Sequence, residues 1–236
     1  MCDLAPPPLA THPVKVTPTS LALLAVAALL APLDWWAAET ERRAVEAIAK
    51  PAVILVLLGV ALTLQPTSEL QRWLFVAGLV ASLAGDVALL RSQRRRWFAA
   101  GLTAFLAAHG CYVAGFLLGP GLAAGVAGWV GLGVGAAVIA LGFWFVGREI
   151  LFVVGASRTA SLARPVALYL GAISVLVLAA GATANPIALA GALSFYASDS
   201  VLGWDRFVAA IRHRDLLVMS TYHAAQVLLV ISLALG

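Results

Sequence analysis

Eight stretches of about 20 mainly apolar residues follow one another along almost the whole chain, and this pattern constrains the fold more than any other feature. Of the 236 residues, these stretches cover roughly 18–36, 47–64, 71–90, 97–118, 122–146, 163–180, 186–204 and 215–235. A helix needs about 20 such residues to cross the hydrocarbon core of a bilayer. The sequence therefore predicts an all-α polytopic membrane protein with eight transmembrane helices.

The composition agrees with a membrane protein and excludes several other classes. The chain is 62% hydrophobic and only 11% charged, and its mean hydropathy is +0.98. Soluble domains are typically about a quarter charged. A soluble globular enzyme and a nucleic-acid-binding domain are therefore excluded. We expect a flexible N-terminal tail, residues 1–17, followed by a single membrane domain, residues 18–236, that lies in the lipid bilayer.

The basic residues are distributed very unevenly between the two sides of the predicted bundle. Thirteen of the 15 lysines and arginines lie in the connections that follow odd-numbered helices, and only Lys15 and Arg72 lie on the other side. Because cytoplasmic connections carry the excess of Lys and Arg, both termini are predicted to lie outside. Only two of the 15 basic residues are lysine and alanine is abundant, which is typical of GC-rich bacteria. We therefore expect a bacterial cytoplasmic (inner) membrane protein.

Two landmarks recur at a nearly constant interval along the chain. Pro51 and Pro165, which are expected in the first turns of helices 2 and 6, lie 114 positions apart. Asp86 and Asp199, near the ends of helices 3 and 7, lie 113 positions apart. This spacing predicts a four-plus-four parallel repeat whose halves are related by a pseudo-twofold axis along the membrane normal. The halves cover about 18–118 and 122–236.

Of the 11 acidic residues, the pattern places two, Asp86 and Asp199, within a span. The other nine, Asp34 among them, are placed at span ends, in connections or in the tail. An ionisable group within a span is costly and is by default a functional hypothesis. Both lie about 8–10 Å inside the cytoplasmic face. Two carboxyl groups facing each other in a poorly hydrated cavity divide into one acid and one base. Structural aspartates paired with loop arginines are the alternative.

Other polar side chains lie at similar depth and are expected to line the same cavity. His109 and Tyr112 share one face of helix 4, and Tyr196 precedes Asp199 by one turn of helix 7. The residues predicted to bind or orient substrate and water are His109, Tyr112, Tyr196, Tyr222, Gln226, Lys50 and Ser82. His223, adjacent to Tyr222, is expected to face elsewhere.

A metal centre is the competing interpretation of these residues. Asp86, His109, Asp199 and His223 are of the types that ligate zinc. The sequence has no His-x-x-x-His pair, and Cys2 and Cys111 form no cysteine motif. We therefore predict no metal and no cofactor, and a metal-dependent lipid hydrolase remains an alternative.

The polar motifs, taken in order from helix 2 onward, resemble the YhhN family. They are Lys50-Pro51, Gly85-Asp86, Phe105 with His109 and Tyr112, Pro165 with Tyr169, Ser198-Asp199-Ser200, and Thr221-Tyr222 with Gln226. The resemblance implies an eight-helix membrane hydrolase, a lysoplasmalogenase. Such an enzyme cleaves the vinyl ether bond of a lysoplasmalogen into a fatty aldehyde and a glycerophospho head group.

On this resemblance, Asp86 and Asp199 supply the acid and the base, and the cytoplasmic rim with Lys50 holds the phosphate of the lysophospholipid substrate. The oligomeric state is not indicated. A lipid or proton-coupled transporter remains the main alternative, because repeats and midplane polar groups also suit transporters. The nearly wholly apolar outer halves of helices 2, 3, 6 and 7 favour a pocket open on the cytoplasmic side. A structural interaction protein would not explain two buried acids at matched positions.

Overall fold

The computed structural model of the protein describes residues 16–119, 121–123, 125–156 and 160–235, and these ranges contain eight long helices. In chain order, helices α1 to α8 span Pro18–Glu39, Arg43–Thr63, Glu69–Leu89, Arg95–Leu118, Val126–Ala156, Ala163–Ala182, Pro186–Phe207 and Arg214–Ser232. No strand occurs in these ranges, so the all-α prediction is confirmed. Most of the expected tail, residues 1–15, lies outside the described residues.

The helices have the lengths and surfaces of membrane spans. Within the described ranges, seven of the eight are long and apolar enough to cross a membrane. The remaining one, α7, is 22 residues long, but its second half carries several polar residues, including Asp199. Large apolar side chains cover the outside of the bundle; Leu29, Ile48 and Phe152 are each more than 70% exposed. Such a surface suits lipid, and the chain is an integral membrane protein.

The two prolines do not occupy equivalent helical positions. Pro165 is the third residue of α6, in the first turn as expected. Pro51, in contrast, lies inside α2, because this helix begins at Arg43, two turns earlier. The intervening residues include alanine and glutamate, which favour helix strongly enough to extend it past the missing N–H of the proline.

Helix α5 is longer than the sequence predicts. It was expected to end near residue 146, but it continues to Ala156 through a π-helical segment, Phe143–Gly147. Arg148 and Glu149, which mark the expected end of the span, continue the helix instead. α5 is also the least buried of the seven apolar helices in the described ranges, so much of its length faces lipid.

Consecutive helices pack in pairs: α1 with α2, α3 with α4, α5 with α6, and α7 with α8. Contacts of α4 with α6, and of α8 with α1 and α2, join the first half of the chain to the second. The same pairs thus form within each half, as a duplicated unit would require. The repeat itself stays a prediction.

The backbones of α5 and α6 approach each other closely at two glycines. A Cβ atom built on Gly131 would lie 2.1 Å from the carbonyl oxygen of Gly181, and one on Gly181 would lie 2.6 Å from that of Gly131. No side chain fits at either position, so these two glycines serve the close packing of the two helices.

We expect Gly131→Ala to lower the melting temperature of the purified protein in detergent. The added methyl group forces α5 away from α6, at a cost of about 1–3 kcal/mol or more. Gly133→Ala is the matched control, because a Cβ there meets open space. Alanine also favours helix over glycine, so the control retains or raises the melting temperature. Equal losses in the two variants would contradict this account of the interface.

Candidate active site

Asp86 lies near the end of α3 and is almost completely buried, at 1% exposure. Its Oδ2 atom accepts a hydrogen bond of 2.8 Å from the hydroxyl of Tyr222 on α8. Its Oδ1 atom lies 3.8 Å from Nζ of Lys50 on α2, which is itself buried. Three helices therefore meet at this one carboxyl group.

A second set of hydrogen bonds lies beside this carboxyl group, between α3, α4 and α8. The Tyr112 hydroxyl donates to Oε1 of Gln226 over 2.7 Å, and Nε2 of Gln226 donates to the Ser82 hydroxyl over 2.9 Å. All three side chains are fully buried. We call the whole set the Asp86 cluster: Lys50, Ser82, Asp86, Tyr112, Tyr222 and Gln226. The sequence predicted all six as site residues, and the fold brings them together.

Asp199 on α7 has a separate set of partners. Its Oδ2 atom accepts a hydrogen bond of 3.0 Å from the Tyr169 hydroxyl on α6 and lies 3.5 Å from Nε2 of His109 on α4. His109 is fully buried, and neither ring nitrogen has a hydrogen-bond partner among the described residues. We call His109, Tyr169 and Asp199 the Asp199 cluster. Tyr169 entered the sequence analysis only through the family resemblance.

Aromatic rings lie between the two clusters. The His109 ring packs edge-on against Phe195, with centroids 4.7 Å apart, and Phe195 packs edge-on against Tyr222 at 5.6 Å. In the described part of the chain, no hydrogen bond or ion pair joins Asp86 to Asp199. Each carboxyl group instead accepts a hydrogen bond from a tyrosine of its own cluster, Tyr222 for Asp86 and Tyr169 for Asp199. The two carboxyl groups therefore have different neighbours.

Each of the two aspartates has a partner from the other half of the chain. His109 on α4 approaches Asp199 on α7, whereas Tyr222 on α8 binds Asp86 on α3. His109 and Tyr222 lie 113 positions apart, as do the two aspartates. A pseudo-twofold axis between the halves would give contacts of this reciprocal form.

A cavity of about 540 Å³, which we call the vestibule, lies at the end of the bundle where the odd-numbered helices finish. Lys50 of the Asp86 cluster is in its lining. Three arginines of the lining, Arg43, Arg91 and Arg206, have no carboxylate within ion-pair distance among the described residues. The lining has five basic and three acidic side chains in all, so the vestibule carries a net positive charge.

A second and smaller cavity of about 50 Å³, the apolar crevice, lies beside the Asp199 cluster. Asp199, Tyr169 and Arg206 are its polar lining residues; the rest of its lining, including Ile150 of α5, consists of apolar side chains and one glycine. The residues that line both the crevice and the vestibule are Leu89, Phe98, Leu202 and Arg206. The two cavities therefore adjoin and together form a site with one charged and one apolar part.

Tyr196 does not take the place that the sequence predicted for it. Its hydroxyl lies against α5, where a Cβ built on Gly142 would come within 2.5 Å of the oxygen. It has no hydrogen-bond partner among the described residues, whereas Asp199, three positions later, is bound by Tyr169. The expected shared polar stripe of Tyr196 and Asp199 is therefore wrong, because α7 turns Tyr196 toward α5.

Sequence reasoning also missed a buried group near the end of α1. Asp34 was placed at a span end, but its side chain is completely buried. His223 on α8 approaches it, with Nε2 3.9 Å from Oδ2 of Asp34, and Trp35 donates a hydrogen bond of 3.0 Å to Nδ1 of His223. Asp34 lies eight residues before Arg42, the first basic residue after its span, as Asp199 lies seven before Arg206, and this similar depth was the available signal.

The residues that the metal-centre alternative would use lie apart from one another. The four proposed ligands are divided, since His109 lies with Asp199 whereas His223 lies with Asp34. Across the described ranges, no three His, Cys, Asp or Glu side chains come together in a way that could hold a metal ion.

The chain has clear relatives among known proteins. The sequence model of the YhhN family matches residues 45–233, which is most of the chain. A human protein named lysoplasmalogenase TMEM86B is 31% identical over 197 residues, covering 84% of this chain and 79% of its own. The corresponding rat protein is 32% identical over 197 residues, covering 84% and 76%. A lysoplasmalogenase of Mycobacterium bovis is 31% identical over 185 residues, covering 75% and 66%. No solved structure matches the chain.

The buried hydrogen-bond chain of the Asp86 cluster gives a stability prediction. Tyr112→Phe leaves Oε1 of Gln226 buried without its donor, which costs about 1–3 kcal/mol and lowers the melting temperature in detergent. Ser194→Ala is the control, because that hydroxyl binds only the carbonyl of Ala190 in its own helix. An unchanged melting temperature for Tyr112→Phe would mean that the bond to Gln226 contributes no net stability.

Proposed function

Because the chain belongs to the YhhN family, we propose that it is a membrane ether-lipid hydrolase that cleaves the vinyl ether bond of lysoplasmalogens. The products are a fatty aldehyde and a glycerophospho head group. The relatives named lysoplasmalogenases support this activity. The observation that carries the proposal is the pair of buried aspartates, each held by a tyrosine hydroxyl, beside a charged and an apolar cavity.

The chemistry of a vinyl ether suits such a pair of carboxyl groups. A proton added to the β-carbon forms a C–H bond and leaves an oxocarbenium ion, which a carboxylate stabilises. Water then adds to the cationic carbon and loses a proton to a base. The hemiacetal collapses to aldehyde and alcohol, so that one water is consumed and the catalytic proton is returned.

We assign the acid and base roles to Asp86 and Asp199 as a pair. Tyr222 and Tyr169 fix the orientation of the two carboxyl groups by direct hydrogen bonds. Gln226, one turn after Tyr222 on α8, is fixed by its hydrogen bonds with Tyr112 and Ser82. His109 offers Nε2 at the Asp199 side for water or substrate. Tyr196 has no part in the proposal.

The two cavities match the two ends of a lysolipid. The phosphate binds in the vestibule, where Arg43, Arg91 and Arg206 have no carboxylate partner in the described part of the chain, and Lys50 reaches the reacting end. The first part of the alkenyl chain enters the apolar crevice beside Asp199 and the remainder lies in the bilayer. The bond to be cleaved then lies between the two cavities.

We place the vestibule on the cytoplasmic side of a bacterial inner membrane, with both termini outside. This orientation follows from the basic residues that crowd the same end of the bundle. Anionic lipid head groups at that surface provide further partners for these residues.

The decisive test is release of aldehyde from a vinyl-ether lysolipid by purified protein in detergent, with and without EDTA. Asp86→Asn and Asp199→Asn should each lower kcat by about a hundredfold or more, since each removes one proton-transfer group. Glu69→Gln is the control for a carboxylate exchanged for an amide, because Glu69 is exposed at the other end of the bundle and pairs with Arg72.

Each outcome of this test selects a mechanism. Release that resists EDTA and is lost in both aspartate variants supports the two-carboxylate mechanism. Release that EDTA abolishes points to a metal-dependent hydrolase. If folded wild type releases no aldehyde, the proposal fails, and transport of the lysolipid in proteoliposomes is the function to test next.

Binding of the head group gives a second prediction. Arg91→Gln should raise KM about tenfold with little change in kcat, since a lost charge–phosphate contact weakens ground-state and transition-state binding alike. Arg94→Gln is the matched control, because Arg94 lies in the same connection outside the vestibule lining. Equal KM values for the two variants would contradict the assignment of the phosphate to the vestibule.

A further inference from the structure

The apolar crevice beside the Asp199 cluster is too small for the whole chain of a lysolipid. Its volume is about 50 Å³, whereas an apolar cavity of about 150 Å³ holds one benzene molecule. On that scale the crevice has room for about two carbon atoms. A lipid chain extends through one leaflet of the bilayer, which is about 15 Å thick. The rest of the chain therefore needs a way out of the crevice toward the bilayer.

A further cavity lies on the outer surface of the bundle, between α5 and α7. Its volume is about 320 Å³, and we call it the lateral groove. The residues that line it are Phe145 and Val146 of α5, Ser200, Val201 and Trp204 of α7, and Ile211 of the connection after α7. Phe145 is exposed, so the groove faces lipid. Apart from Ser200, these side chains are apolar or aromatic and suit a hydrocarbon chain.

The contact of Ile150 on α5 with Gly203 on α7 lies between the crevice and the lateral groove, and we call it the seam. A Cβ atom built on Gly203 would lie 3.1 Å from Cδ1 of Ile150, and both residues line the crevice. Val146, one turn before Ile150, lines the groove. Ser200, one turn before Gly203, and Trp204, directly after it, line the groove as well. The seam therefore has the crevice on one side and the groove on the other.

The wall of the crevice is weakly built at the seam. Gly203 has no side chain, whereas Phe98, Phe105 and Val166 close other parts of the wall with buried side chains. α5 also packs less extensively against α7 than against α6. A change of rotamer moves the Cδ1 atom of Ile150, and no side chain on Gly203 then obstructs a hydrocarbon chain.

The α5 side of the lateral groove belongs to the π-helical segment Phe143–Gly147. π-helical turns are rare within α-helices and frequently occur at functional sites. The groove therefore lies against the irregular part of α5, where a feature tied to function is expected.

We propose that the alkenyl chain of the lysolipid passes from the crevice through the seam into the lateral groove, and that Ile150 and Gly203 determine which chains are accepted. This inference rests on the proposed function, because it follows the chain away from the bond to be cleaved. The chain displaces Cδ1 of Ile150, crosses over Gly203 and continues along Val146 and Trp204 into the lipid. Long chains gain apolar contact beyond the seam, whereas short chains end before it.

The first test compares two substrates in lipid nanodiscs, a hexadecenyl ether and a propenyl ether of the same glycerophospho head group. Gly203→Leu fills the seam, so the long chain loses its path, whereas the short chain ends in the crevice. We expect kcat/KM for the long chain to fall about tenfold relative to that for the short chain, as for about two methylene groups deprived of contact. Gly171→Leu on α6 is the matched control, because a Cβ there meets open space. It leaves the selectivity between the two chains unchanged.

Removal of the opposing side chain is expected to reverse the effect. Ile150→Ala in the Gly203→Leu background makes room in the seam and returns the selectivity toward that of wild type. An equal loss of kcat/KM for both chains means that Gly203→Leu acts only through the fold, and it overturns the proposal. Unchanged selectivity in Gly203→Leu overturns it as well.

A smaller pair of substitutions serves if Gly203→Leu fails to fold. Gly203→Ala carries a smaller shift in the same direction. Ile150→Val is its partner, because valine lacks the Cδ1 atom that the new methyl group meets. Absence of any shift in Gly203→Ala then overturns the proposal.

The second test needs no catalysis and so separates this inference from the proposed activity. Saturated hexadecyl and propyl ethers of the same head group have no double bond to protonate, so they bind without being cleaved. Their dissociation constants are measured by calorimetry in nanodiscs, after subtraction of binding to empty nanodiscs. Gly203→Leu is expected to weaken binding of the hexadecyl ether about tenfold relative to the propyl ether. An unchanged ratio overturns the proposed route, whether or not wild type releases aldehyde. A shifted ratio without aldehyde release supports the route and refutes only the proposed activity.

Discussion

A carboxyl group buried among membrane helices must find its partners on other helices, and this requirement determines which helices of the bundle meet. Asp86 on α3 accepts a hydrogen bond from Tyr222 of α8 and lies within ion-pair distance of Lys50 of α2. Asp199 on α7 accepts a hydrogen bond from Tyr169 of α6, and His109 of α4 packs beside it. Apart from α1 and α5, each helix contributes a side chain to one of these two carboxyl groups. α5 supplies the outer wall of the crevice, and α1 supplies Asp34.

One cavity of the site is charged and the other is apolar, as are the two ends of an amphipathic ligand. The vestibule holds arginines without carboxylate partners in the described ranges, whereas the crevice is nearly all apolar. Four side chains line both cavities, so the cavities meet at a common boundary. At this boundary the polar head of a bound amphipathic molecule joins its apolar chain. The proposed reaction breaks a bond at that position, and the two aspartate clusters lie on either side of it.

The sequence predicted the number of helices well, because long apolar runs are an unambiguous signal. It also predicted the six residues of the Asp86 cluster, which lie at one depth on four helices, but as part of one cavity shared with Asp199 and His109, whereas the structure has two clusters. Hydropathy does not define which way a helix is rotated, and this explains the errors. Tyr196 and Asp199 share a helical spacing but meet different neighbours, and Asp34 near a helix end is turned inward. The extension of α5 past Arg148 was missed because a charged pair usually marks the end of a span.

The polarity of α7 affects how this helix is held in the bilayer. A single aspartate at the centre of a span raises the free energy of insertion by about 2.5–3.5 kcal/mol. Within the described ranges, α7 is the one long helix that does not reach the hydropathy of a span, whereas α8, its principal contact, does. α7 is therefore less suited than the other long helices to lie in lipid alone, and α8 packs against it as the second arm of a helical hairpin. The residue on which the proposed chemistry depends thus also makes its own helix depend on a neighbour for its place in the membrane.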